Sequence, residues 1–111
     1  DHPRNALSME VARWAAALAP RVVVVENVAA FLGTPHHRRL AGALEALGYA
    51  VAATAVDAAD FGVAQRRLRS FTFAARGPLP TLAPPARPRR PATVADAWVG
   101  LPEVPDGRNL H

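Results

Sequence analysis

Apolar positions along the chain set the first expectations. From Asn5 to Ala19, Leu7, Val11, Trp14, Ala15 and Leu18 recur at helical spacing and Pro20 stops the pattern. This predicts an amphipathic helix with one buried stripe, Trp14 packing in the core with it. Val22-Val23-Val24-Val25 then run without alternation, the pattern of a strand covered on both faces in a largely parallel sheet, and the run stops at Glu26-Asn27. Thr34-Pro35 offers a helix cap and a first-turn proline, Leu40, Leu44 and Leu47 make an apolar stripe, and Gly48 is a natural stop. Tyr49 to Val56 is small, apolar and partly β-branched, which predicts a second strand. Phe71 and Phe73 alternate with Ser70 and Thr72 in a third, ending at Arg76-Gly77-Pro78, with Phe71 expected in the core. Between these strands, Asp57 to Leu68 reads as a connection marked only by Phe61-Gly62 and a basic cluster.

After Gly77 the pattern changes. Prolines at positions 78, 80, 84, 85, 88 and 91 alternate with Arg87, Arg89 and Arg90, a stiff, extended composition that builds no core. Thr93 to Val99 predicts a short helix capped by Thr93, with Trp98 as a docking residue. The chain therefore divides into residues 1–77, part of a folded domain, and residues 78–111, a linker leading into a further region. The order helix, strand, helix, strand, strand is an α/β pattern. Three strands and two helices do not cover both faces of a doubly wound sheet, so the expected core is incomplete.

Composition narrows the function classes. At 111 residues the chain suits one small domain or part of a larger one. Half the residues are apolar, a fifth are charged and 6% are aromatic, as in a soluble globular protein. The net charge is +4 and the basic residues are arginines, which suit phosphate and base-edge contacts. The Ala/Arg/Pro bias also reflects genome base composition, so charge alone does not establish a nucleic-acid partner. Absence of cysteine excludes disulfides, thiolate metal sites and a cysteine nucleophile from this chain. No apolar run reaches the roughly 18 to 20 residues of a membrane span, and no signal peptide is seen, so a cytoplasmic location is expected. His2, His36, His37 and His111 show no metal-ligand spacing, and the adjacent pair at a helix start is expected to face solvent. Gly33, Gly42, Gly48 and Gly62 are isolated and form no phosphate loop.

Two places could carry chemistry. Glu26 follows four valines, so its carboxylate would stand at a sheet end, where open α/β sheets hold their ligands. Partial desolvation by the strand behind it would favour a protonated or proton-sharing group, suited to a ring nitrogen on which charge develops. A solvated acid at a strand terminus is the ordinary alternative. The cluster Gln65-Arg66-Arg67-Leu68-Arg69 runs into a strand, where a period of two puts Gln65, Arg67 and Arg69 on one side. Three such donors could hold a phosphate or a base edge; a solvated basic turn is the alternative.

Glu26-Asn27-Val28 after an apolar strand, then Phe31-Leu32, then Asp60-Phe61-Gly62-Val63-Ala64-Gln65-Arg66-Arg67-Leu68-Arg69, resembles the DNA cytosine-5 methyltransferase family. The Gln-x-Arg-x-Arg element, preceded by Gly48-Tyr49 and Phe-Gly-Val, is the specific part. Asp1 to Leu7 resembles the family segment entering the helix before that strand, and Thr93 to Pro105 the start of its variable DNA-recognition region. The resemblance implies the C-terminal part of a doubly wound, Rossmann-like, S-adenosylmethionine-dependent methyltransferase domain acting on a cytosine flipped out of double-stranded DNA. It implies that Glu26 contacts ring N3 and the exocyclic amine, that Arg69 contacts O2, that Arg67 and Gln65 orient the base, its phosphate or nearby loops, and that Asn27 braces the site. One departure is Ala64 where the family usually has proline before the glutamine, which loosens the turn without removing a contacting group. The other is that the glycine-rich S-adenosylmethionine loop and the Pro-Cys-Gln nucleophile loop belong upstream of Asp1.

The resulting expectation is a fragment of a DNA (cytosine-5-)-methyltransferase, inactive alone and associated with the nucleoid, whether a truncated reading frame, a partial gene or one piece of a split enzyme that an upstream chain complements. Restriction-modification, solitary and phage settings all fit it. The alternative is a non-catalytic DNA-binding or regulatory remnant; a decayed product that never folds stably is the third reading.

Overall fold

A computed structural model of the chain describes residues 7–79 and 90–101. Helix α1 spans Ser8–Leu18 and ends where Ala19 turns left-handed (φ 46°) ahead of Pro20. Strand β1 (Val22–Val28) runs into a 3-10 turn at Ala29–Gly33. Helix α2 (Pro35–Ala46) starts as the sequence predicts: the Thr34 hydroxyl accepts the His37 amide at 3.1 Å, and Pro35 takes the first turn, where its missing N–H leaves no gap. Strand β2 (Ala50–Asp57), a 3-10 turn at Ala58–Phe61 and strand β3 (Leu68–Ala75) follow, and α3 (Val94–Trp98) is a single short helix.

The sheet order is β1-β3-β2, with β3 antiparallel to both neighbours. β1 and β2 are thus parallel to each other, joined through α2, with the last strand inserted between them. The largely parallel sheet expected from the valine run is corrected: both hydrogen-bonded strand pairs described are antiparallel.

α1 and α2 lie on one side of the sheet. Ala12 and Ala15 of α1, Leu40 and Leu44 of α2, Phe31, Tyr49 and Ala74 form the buried cluster, with Val23, Val25 and Val51 packed against it. The Tyr49 hydroxyl donates to the Pro20 carbonyl at 2.7 Å, and the Arg76 guanidinium lies 4.8 Å from its ring centre. These contacts tie the end of α1 to the start of β2.

Two packing expectations are corrected. Along β1, exposed and partly covered residues alternate, so the valines are not enclosed on both faces: Val23 and Val25 meet the helices, whereas Val22 and Val24 face outward. On α1 the large apolar residues are not the buried ones. Trp14 and Leu18 remain 54% and 68% exposed, and the small face of Ala12 and Ala15 makes the contact. Phe71 is partly buried, but on the sheet face without helices, stacked on Phe73 at 6.1 Å between ring centres.

Candidate base-binding site at the sheet end

In the β1–β3 register Glu26 stands opposite Phe71, and Val28 opposite Arg69. Alternation along each strand then puts Glu26 and Arg69 on the same outward face as diagonal neighbours, a separation a guanidinium can span. It does so: Arg69 Nε lies 3.0 Å from Glu26 Oε1, with the two side chains 25% and 50% exposed. Arg69 Nη1 also donates to the Leu68 carbonyl at 2.8 Å, which holds the guanidinium at the strand. A half-exposed pair of this kind contributes under about 1 kcal/mol to stability, so its importance is geometric. The Glu26 side chain is half open to solvent, and its carboxylate lies beside a cation.

The remaining residues of the sequence-derived site are placed differently. Asn27 stands on the opposite face of β1, in register with Ser70, and its Oδ1 accepts the Val28 amide at 2.8 Å. It meets the Glu26–Arg69 pair only through the backbone. β3 begins at Leu68, so the period-two argument reaches Arg69 but not Gln65 and Arg67, which lie exposed on the connection before the strand. On the covered face, the Ser70 hydroxyl donates to the Val28 carbonyl at 3.0 Å, securing the end of β1.

One residue passed over in the sequence organises this connection. Asp57 Oδ1 accepts the Arg67 amide at 2.9 Å and the Ala59 amide at 3.1 Å, while the Ala58 amide donates to the Arg67 carbonyl at 3.1 Å. The Arg67 amide, followed by that of Ala59, holds the Asp57 carboxyl below its ordinary range; desolvation opposes this and the charge of Arg66 assists. The available signal was an acidic residue at a strand end followed by small residues, the pattern of a side chain capping a turn. The histidine pair also departs from expectation. Both residues are partly buried, and His37 Nε2 lies 3.1 Å from the Thr72 hydroxyl, with the ring edge-on to Phe31.

An open carboxylate next to a guanidinium offers an acceptor and planar donors side by side, which complements a ring edge carrying an amine, a ring nitrogen and a carbonyl. Among the described residues no group of three or more His, Asp or Glu could hold a metal ion, and no helix is long and apolar enough to cross a membrane.

The structure is similar to a prophage-encoded DNA modification methyltransferase of E. coli (TM-score 0.74, 24% identity), over 94% of this chain and 32% of that one. It is also similar to the Entamoeba histolytica methyltransferase EhMeth (TM-score 0.66, 18% identity), over 79% of this chain and 28% of that one. The fold is therefore that of part of a methyltransferase domain, and the chain spans about a third of the length of these proteins. Residues 1–97 match the C-5 cytosine-specific DNA methylase family, and the chain belongs to it. No curated protein sequence matches the chain.

Proposed function

We propose that the chain is the base-holding part of a DNA (cytosine-5-)-methyltransferase, working on a cytosine extruded from double-stranded DNA. The observation that carries this reading is the ion pair of Glu26 and Arg69, brought to one outward face at the sheet end by the β1–β3 register. In this role Glu26 meets the exocyclic amine and ring N3, and Arg69 meets O2. A proton shared between Glu26 and N3, together with the guanidinium of Arg69, stabilises the negative charge that spreads over the ring when a thiolate adds to carbon 6. Arg67 and Gln65, on the connection leading into Arg69, orient the base or its phosphate, and Asn27 holds the backbone beneath Glu26.

S-adenosylmethionine is the methyl donor this family implies, supplying the methyl group at carbon 5. The described residues do not fit its site: their glycines are isolated and no glycine-rich turn closes a strand. The sequence also has no cysteine to provide the thiolate. These 111 residues are accordingly inactive by themselves and act, at the nucleoid, only with protein that carries both parts, whether joined to them or supplied as a separate polypeptide.

The test is methyl transfer from labelled S-adenosylmethionine to DNA, with and without such a polypeptide. The expected outcome is no transfer by the chain alone, transfer by the combination, and a loss of about 100-fold or more on Glu26→Gln or Arg69→Ala. Robust transfer by the lone chain overturns the reading, as does full activity of both variants.

The exposed Arg66 and Arg67 favour a second reading, a non-catalytic DNA-binding remnant. It requires sequence-indifferent binding that weakens steeply with salt and is lost on Arg67→Ala, without any preference for an unpaired cytosine.

A further inference from the structure

The connection 58–67 carries Gln65 and Arg67 and delivers Arg69 to the first outward position of β3, yet most of it is exposed. Its two ends meet at one atom. Asp57 is the last residue of β2, paired with Leu68 on the final rung of the β2–β3 ladder. Immediately beyond that rung, one carboxylate oxygen accepts the amides of both Ala59 and Arg67, while the backbones of Ala58 and Arg67 share a single hydrogen bond. A side chain thus takes the Arg67 N–H and ties it to the turn that opens the connection.

The register of β3 is what this arrangement protects. Successive strand residues face opposite ways, so a one-residue slip of β3 would turn Arg69 to the helix-covered face, away from Glu26. Fraying of the first rung would have the same result locally. On the covered face the His37–Thr72 hydrogen bond and buried Ala74 hold the far part of the strand; at the site end the Ser70 hydroxyl on the Val28 carbonyl is joined by the Asp57 clamp.

We propose that Asp57 is a positioning residue for cytosine recognition: by accepting the Arg67 and Ala59 amides it pins the start of β3 and keeps Arg69 on the face of Glu26. The inference rests on the base-holding reading above. It requires only an acceptor of the right length at position 57, so an amide oxygen can replace the carboxylate.

The experiment compares wild-type chain, Asp57→Asn, Asp57→Ala and Asp57→Glu for binding to DNA duplexes carrying one unpaired cytosine or one unpaired thymine, by fluorescence anisotropy. Amide hydrogen exchange is followed in parallel. Wild type and Asp57→Asn are expected to prefer cytosine to a similar degree. In Asp57→Ala the preference falls about tenfold, because a displaced Arg69 no longer holds the Glu26 carboxylate that meets N3 and the exocyclic amine, where cytosine and thymine differ, while binding common to both duplexes persists. Exchange at Arg67 and Ala59 quickens in Asp57→Ala, while Val23 and Val25 stay protected. If Asp57→Ala releases the Arg67 amide but keeps the full preference, the proposal is wrong and the base-holding reading stands. A folded Asp57→Asn that loses the preference also overturns it. No preference in the wild type sinks the reading and the proposal together. If Asp57→Ala loses Val23 and Val25 protection, Asp57→Glu decides, since its charge is kept but its oxygens are displaced: lost preference supports the clamp, and retained preference refutes it.

Discussion

Ala19 closes α1 with φ 46° and ψ 46°, a left-handed conformation in which a Cβ crowds the backbone at about 1–2 kcal/mol. Glycine escapes that crowding but loses more chain entropy on folding. Ala19→Gly is therefore expected to raise stability by about 0.5 kcal/mol in urea unfolding, with an unchanged slope; a lowered midpoint contradicts this account. At this scale the sequence is legible where a residue type and its chemistry coincide. Glu26 after the valines and Arg69 in the basic cluster could be singled out by position. Asp57 could not, because its importance comes from two amides that approach it only when β2 and β3 pair. Trp14 misled in the opposite direction, since size suggests burial but Ala12 and Ala15 set the helix contact.

Elements were legible when several local signals agreed. For α2 the Thr34 cap, Pro35, the leucine stripe and Gly48 all mark the same span, and the helix occupies it. Thr34→Ala removes the acceptor for the His37 amide and is expected to lower stability by about 1 kcal/mol, measured by thermal or urea unfolding. An unchanged stability would show that the cap contributes nothing there. The start of β3 was legible only to within a few residues. Alternation of Gln65, Arg67 and Arg69 suggests a strand, but the Asp57 clamp and the 3-10 turn hold residues 65–67 outside the ladder until Leu68. The coverage of β1 was hidden for a related reason: four β-branched residues make a strand whichever face is covered, and which face is covered depends on partners distant in sequence.

At the scale of the whole set of described residues, α1 and α2 cover one face of the sheet. On the other face Val22, Val24 and Val28 of β1 adjoin Phe71 and Phe73 of β3, and Val24 is 54% exposed. An apolar strip of this kind drives association when nothing covers it. The isolated chain is expected to self-associate with concentration in sedimentation velocity, and Val24→Lys to shift it toward monomer without changing its circular dichroism. A monomeric wild type at high concentration would show that the strip is too small to act. The incomplete core was legible from counting elements, and the family from Glu26-Asn27-Val28 and Gln65 to Arg69. The β1-β3-β2 order was not, because nothing local in a chain states which strand will be inserted between two others.

That insertion has a temporal side. β1 and β2 never bond to each other; each is joined only to β3, the last strand to be made. While a ribosome is still translating the stretch before Leu68, the emerging polypeptide holds two valine- and alanine-rich segments with no ladder between them. Pairing of either segment therefore waits for β3, and until then both are open to non-native contacts.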